Sequence, residues 1–411
     1  MIPLDEAKRF VLEGIVALPP RALPLEEALG CVVAEQIVAK ESVPGFTNSS
    51  MDGFALRAHD TASGSVRLTI TDAVMAGDVS SLRLGAGEAM RIMTGAPLPD
   101  GADSVCMIEE AVVEDDATVR IPRVIARGEH VRYPGDDIRA GQLLLTRGTE
   151  LNAPNVAVLA GQGFTSAVVH ARPRVGVLST GNELSRSSGP LAPGQIRDTN
   201  RPLLLALLRQ SGFTAVDLGV AEDTHEAITR HLAEGVAQCD AVISTGGVSV
   251  GDVDHVKHVI GELGGDHARW MQVAIRPGKP FAFGVVGAAR TPVFGLPGNP
   301  VSTRVSFELF VRPALRTLAG HEHVERLSVH AMLDVVVPPA RDGRLHLVHV
   351  SARMLDDGLV HVRSAARPGS HLLHAVADAN AIALVPEGVR SDVGDTLRVI
   401  VLDAEALSAT T

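Results

Sequence analysis

The chain has 411 residues, a formal net charge of −11 at pH 7, and 45% hydrophobic, 21% charged and only 3% aromatic residues. That length exceeds what one core usually serves, so two to four domains of a soluble globular protein are expected. The acidic balance excludes a nucleic-acid backbone as the main partner, and the aromatics are too few for a base-stacking platform.

The first predicted element is an amphipathic helix over residues Pro3 to Leu18, with apolar positions at Leu4, Ala7, Phe10, Val11 and Ile15. Residues Leu25 to Ala39 read as a short helix leading into an extended stretch. From about Val43 to Arg132 short strands are broken by glycine and proline, at residues 66–70, 88–93, 104–109 and 119–121. A strand and a helix then return between Asp136 and Gly163, which makes the β module an insertion between two halves of one domain.

From Arg174 the pattern becomes regular. The strand-like VGVLS, AVDLGV and DAVIST each lead through a loop to an apolar helix, at residues 199–211, 224–237 and up to about 263. Two further strands (281–286 and 291–294) precede GLPGNP and a last helix over 301–318. Continuous apolar strands alternating with helices predict a mainly parallel sheet covered on both faces, a three-layer α/β domain. After His323 the chain is strand-rich again (327–337, 344–350, 381–385, 396–401), which predicts a small β-barrel or sandwich. The expected division is an N-terminal mixed domain (1–43 with 136–171), an inserted β-rich domain (44–135), a central α/β domain (172–322) and a C-terminal β-barrel domain (323–411).

Cys31, Cys106 and Cys239 are widely spaced, which excludes a disulfide framework and a structural zinc site. No apolar run reaches membrane-spanning length and no signal-peptide core is present, so a reduced cytoplasmic protein with no membrane partner is expected. The pairs His255/His258, His346/His349 and His371/His374 have helical ligand spacing but no third ligand nearby. They read as surface or satisfied histidines.

Ligands of a parallel sheet gather at the carboxyl ends of its strands. Here those ends carry Ser179–Glu183, Glu222–Thr224, Ser244–Asp254 and Gly295–Pro300. Glycines allow close backbone approach, and helix N-termini favour phosphate. Simpler readings stand beside this one. Asp223 with Glu226 forms a capping-box pattern, Asp252 can cap a helix, and Asn299-Pro300 is a common helix start. Glu183 and Asp254 are not needed as caps, and carboxylates beside a phosphate call for a cation such as Mg²⁺. Arg276 and Lys279 on the stiffened RPGKP loop suit charged oxygens, although a solvated basic turn has the same composition. In the β module, NSSMDGFA and RIMTGAPLP read locally as turns.

Together SMDGFA, RIMTGAPLP, RYPGDDI, STGNEL, GQIRDTN, STGGVSVGDVD, PGKPFAFG and GLPGNPVS resemble the molybdopterin molybdenumtransferase family (MoeA type, including the E domain of gephyrin), in the same order over nearly the whole chain. The resemblance implies an elongated homodimer that takes adenylylated molybdopterin and molybdate, inserts the metal at the dithiolene and releases AMP with Mg²⁺ assisting. It implies a cleft between the central domain of one protomer and the β module of the other. Carried over by motif, Asp52, Thr94, Glu183, Asp223, Asp254 and Lys279 are the catalytic candidates, and Glu183, Asp223 and Asp254 the Mg²⁺ candidates. Asp136, Thr180, Gly246, Gly247, Ser249, Gly251, Arg276, Pro297, Pro300 and Ser370 are the substrate-binding candidates. The molybdopterin adenylyltransferase and molybdoenzyme chaperones are candidate partners.

The chain departs from the family pattern at Asn182 (often Asp), Phe54 and Arg197 (often Tyr) and Arg276 (often Lys), and Met271-Gln272 offers no match to a second family lysine. The rivals are an adenylyltransferase-like enzyme, which would not require MDGFA and TGAP, and a gephyrin-like dimeric scaffold. Tungstate in place of molybdate stays open.

Overall fold

A computed structural model describes residues 1–185, 187–248, 255–364, 374 and 377–407. The chain divides into two units. One comprises Met1–Ala34, Gly148–Asn152 and Ser166–Thr411, and the other Glu35–Arg147 and Ala153–Thr165.

In the first unit the alternating pattern after Arg174 produces a six-stranded sheet. Its strands are β1 (Arg174–Thr180), β2 (Thr214–Ala221), β3 (Ala241–Thr245), β4 (Ala268–Gln272), β5 (Pro280–Val286) and β6 (Thr291–Leu296), in the order β2-β1-β3-β6-β5-β4. Strands β2, β1, β3 and β6 run parallel, and β5 pairs antiparallel with both β6 and β4. The helices are α1 (Leu4–Glu13), α2 (Asn200–Gln210), α3 (His225–Gln238), α4 (His255–Gly264), α5 (Pro300–Ser306) and α6 (Arg312–Leu318), with a π-helical turn over Phe307–Val311 joining the last two.

Side chains alternate across each strand, and both faces are apolar. Ala241 and Ile243 of β3 enter a core with Val11 of α1, Leu204 and Leu208 of α2, and Leu315 of α6. Val242 enters the opposite core with Ile228 and Leu232 of α3 and Val256 and Val259 of α4. Full burial of each of these Val, Leu and Ile side chains contributes about 1.5–3 kcal/mol, so the two-sided core fixes the register of the strands. The expected three layers are present. Helix α1 stops at Glu13 rather than at Leu18, because Gly14 turns the chain and Pro19-Pro20 cannot continue a helix.

The C-terminal strands are β7 (Ser328–Leu333), β8 (Leu345–Met354), β9 (Val360–Ser364), β10 (Ala381–Val385) and β11 (Thr396–Val401). They pair β8-β9-β7-β11-β10 and back to β8, closing a five-stranded barrel. Strand β9 is absent from the sequence-based expectation because only Val360 and Val362 of VHVRS face the barrel core.

The second unit holds a six-stranded sheet in the order Ser104–Met107, Gly53–Leu56, Glu88–Ile92, Val66–Val74, Thr118–Ile121, Val112–Asp115. The segment expected to be a turn at MDGFA is therefore an inner strand from Gly53 onward. Phe54 and Leu56 enter one core and Ala55 the other. A side chain at Gly53 would run into the carbonyl oxygen of Cys106 on the neighbouring strand, so this glycine is fixed by close backbone approach. Among the described residues no helix is long and apolar enough to cross a membrane.

Candidate active site

Strands β1, β3 and β6 are neighbours, and their parallel course brings the loops after Thr180, Thr245 and Leu296 to one edge of the sheet. Hydrogen bonds tie these loops together. Asn200 Nδ2, at the start of α2, donates to Thr245 Oγ1 (2.8 Å) and to the Gly298 carbonyl (2.6 Å). The hydroxyls of Thr245 and the fully buried Thr303 both donate to the Pro297 carbonyl, at 3.3 and 2.7 Å. Gly246 N–H donates to the Leu296 carbonyl at 3.1 Å. Gly246 and Gly247 have φ of 95° and 64°, the region that excludes ordinary side chains, and a side chain on Gly246 would strike the Thr180 carbonyl. The result is a cradle of bare backbone braced from beneath, with Thr180, Gly246, Gly247 and Pro297 all in it. Pro300 opens α5 at its first position, behind Asn299.

Two carboxylates flank this edge. Thr224, not Asp223, caps α3, its Oγ1 accepting from Ala227 N–H at 3.2 Å. Asp223 is thereby released from the capping role. Its N–H donates to Asn182 Oδ1 at 3.2 Å, and its own Oδ1 is buried without a hydrogen-bond partner. Glu183 is exposed and folds back over Gly181, where an added Cβ would lie 2.7 Å from Glu183 Oε2. Among the described residues neither carboxylate has an ion-pair partner. Two hard oxygen donors, one with an orphaned buried atom, fit an oxygen-seeking divalent cation. Among the described residues no three His, Cys, Asp or Glu side chains already form a metal cluster. Ser249, Gly251 and Asp254 of the same loop, and Ser370, lie outside the described residues.

The two expected cations differ. Lys279 is half-buried and has no carboxylate partner among the described residues. Arg276 reaches Asp342 Oδ2 at 3.2 Å, and Asp342 also accepts from Arg344 (2.6 Å) and lies 3.0 Å from His346 Nε2. The hydrogen bonds from His346, Arg344 and Arg276 hold the Asp342 carboxyl far below the usual carboxylate range. Arg276 thus has a counter-charge in place before any ligand arrives.

In the second unit Asp52 and Thr94 meet directly. Asp52 Oδ1 accepts both the backbone N–H and the hydroxyl of Thr94, each at 2.7 Å. These bonds, the backbone one foremost, lower the Asp52 pKa. Asp136 closes its own turn, Oδ2 accepting from Tyr133 N–H at 2.7 Å.

Several supporting residues were not among the candidates. Asn200 closes the GQIRDTN stretch and Thr303 falls inside the expected helix 301–318, and only the fold shows that they bridge strand-end loops. Arg197 clamps the carbonyls of Ser187 and Gly189 at 2.8 and 2.7 Å. Trp270 on β4 sends its indole N–H to the Val248 carbonyl (3.4 Å), at the base of the glycine loop.

Three family models match the chain: MoeA N-terminal region (domain I and II) over residues 2–163, probable molybdopterin binding domain over 176–317, and MoeA C-terminal region (domain IV) over 338–402. A molybdopterin molybdenumtransferase of Haemophilus influenzae is 33% identical over 402 residues, covering 97% of this chain and 98% of the relative. One from Bacillus subtilis is 36% identical over 416 residues, covering 98% and 95%. The crystal structure of a molybdopterin biosynthesis MoeA protein from Pyrococcus horikoshii superposes with a TM-score of 0.82 at 32% identity, covering 98% of this chain and 100% of that one.

Proposed function

The chain belongs to the molybdopterin molybdenumtransferase family, and from that premise we propose that it inserts molybdenum into molybdopterin by taking the adenylylated pterin and molybdate and releasing AMP. The observation that carries this reading is the braced cradle at the carboxyl edge of the central sheet, with the unpartnered Asp223 oxygen beside it.

Each group has a task that follows from its charge. The glycine loop from Gly246 accepts the phosphates against bare backbone, while Thr180 and Pro297 shape its floor. Glu183 and Asp223, joined by Asp254 of the same loop, would hold Mg²⁺, which supplies charge neutralisation at the phosphoanhydride oxygens. Lys279 offsets the charge of molybdate and phosphate, and Arg276 joins it on exchanging Asp342 for ligand. Ionised Asp52, fixed by Thr94, orients water or the incoming oxyanion. Asp136, Ser249, Gly251, Pro300 and Ser370 complete the substrate contacts of this reading. A homodimer in the cytoplasm, with domains at 1–43/136–171, 44–135, 172–322 and 323–411, belongs to it as well.

An adenylyltransferase-like activity is disfavoured because the family's N-terminal and C-terminal regions are both present and the relatives match over the full length. The deciding experiment incubates purified protein with adenylylated molybdopterin, Mg²⁺ and molybdate. AMP release with metal-loaded pterin is expected. A folded protein that binds the nucleotide yet yields neither product overturns the reading. Asp52→Ala and Glu183→Ala are expected to lose turnover while remaining folded.

A further inference from the structure

The unit holding the central sheet contains a cavity of about 90 Å³ at the amino edge of that sheet. Its lining includes Arg172 and Pro173, which precede β1, and Ser211 to Phe213, which precede β2. It therefore lies at the opposite strand ends from Thr180 and Thr245. One ordered water needs roughly 10–15 Å³ of such space, so there is room for one tetrahedral oxyanion.

The charges in the lining are unequal. Two guanidinium groups, Arg172 and Arg316, face a single carboxylate, Glu150, with His170 and His321 beside them. Arg172 gives one N–H to the Leu29 carbonyl and has no carboxylate partner among the described residues. Arg316 Nη2 lies 3.0 Å from His321 Nδ1 and 3.5 Å from Glu150 Oε2, and its Nε donates to the His323 carbonyl at 3.1 Å. Because arginine only donates, His321 Nδ1 accepts, and the ring proton sits on Nε2 as a further donor. Burial first, and then the neighbouring Arg316, push this imidazole down to about 4, so it is neutral in neutral solution. His170 Nδ1 lies 2.7 Å from the Leu18 carbonyl, which only accepts, so that nitrogen carries a proton.

The lining therefore carries one more positive charge than negative, on the exposed Arg172, with Arg316 shared with Glu150 and His321 Nε2 as a spare neutral donor. We infer that this cavity binds one small tetrahedral oxyanion of the sulfate, phosphate or molybdate class, with Arg172 and Arg316 as its charge partners. The site is independent of the reaction at the carboxyl edge. Its ligand joins the approach to β1 with α6, and so stabilises the unit by mass action.

The test uses the full chain in a Lys279→Ala background, which weakens oxyanion binding at the carboxyl edge. Sodium sulfate, phosphate and molybdate are titrated calorimetrically in separate arms at constant ionic strength. One site per chain is expected, weakened about tenfold or more by Arg172→Gln, which removes a charged donor. Ala319→Met, which fills the cavity without changing a charge, is expected to abolish binding. The arm with the tightest binding identifies the source of the anion. Crystals soaked in selenate should show an anomalous peak between Arg172 and Arg316. No peak there, or titrations unchanged by both substitutions, overturns the proposal.

Discussion

One oxygen of Asp52 accepts both donors of Thr94, the backbone N–H and the side-chain hydroxyl, at the same distance of 2.7 Å. The threonine hydroxyl therefore spends its proton on Asp52 and keeps only lone pairs for other contacts. The two bonds lower the carboxyl pKa, so Asp52 is ionised further into acid than an ordinary aspartate. The stabilisation they bring is complete above the unfolded carboxyl's pKa and fades as pH falls through the lower folded value. Thr94→Val removes one donor. The Asp52 midpoint, followed by carboxyl-carbon NMR, should move up, and the acid limb of the proposed AMP-releasing turnover should move up with it. An unmoved midpoint would show that the hydroxyl contributes nothing.

Two buried imidazoles set a different acid response. His349 on β8 is 7% exposed, and its Nε2 has no partner. Burial, and then the charge of Arg304, push it down to about 3, while His321 stands at about 4. An unfolded histidine titrates near 6.5, so on acidification the unfolded chain takes up these protons first. Stability should be full above about pH 6.5 and decline as pH falls toward 4. His349→Leu deletes one of these penalties, on the order of a few kcal/mol in the acid limit. Its acid-unfolding midpoint should lie at lower pH than that of the wild type, and an equal or higher midpoint would refute the assignment.

Gly53→Ala should damage the second unit severely. A methyl group there meets the Cys106 carbonyl, which belongs to the paired strand and cannot withdraw without breaking the ladder. A cost of about 3 kcal/mol or more is expected, in the class of core overpacking. Urea denaturation of the variant measures it, and a loss below about 1 kcal/mol would mean that the strand yields easily.

Asn200→Ala should separate cradle from scaffold. It removes the bonds to Thr245 and Gly298 but leaves the apolar face of α2 in place. Affinity for the proposed nucleotide substrate and turnover are expected to fall about tenfold, while the variant stays folded and loses only about 1 kcal/mol of stability for each bond removed. Unchanged affinity and turnover despite that loss of stability would make Asn200 a general structural residue.

The central domain was legible because its strands are uniformly apolar and its helices periodic, so the loops after Thr180, Thr245 and Leu296 could be assigned to one sheet edge from the sequence. The strand Gly53–Leu56 was not, because four residues beginning at a glycine carry no period. The pairing of Arg276 with Asp342 spans 66 positions and joins the β4–β5 loop to the segment before β8, a distance over which local patterns are silent. Asp223 shows the limit from the other side. Its sequence fits a capping box, yet Thr224 one residue later takes the cap, and only the folded helix start tells the two apart.

Trp270 is the sole tryptophan of the chain, and its indole N–H is anchored on the Val248 carbonyl. Its emission therefore carries a signal from one address, with no background from a second indole. Any ligand that draws the Val248 backbone away from the ring changes the polarity around the chromophore and shifts its spectrum. Rapid mixing with the proposed nucleotide substrate would then time any such movement of the Val248 backbone without label, mutation or turnover.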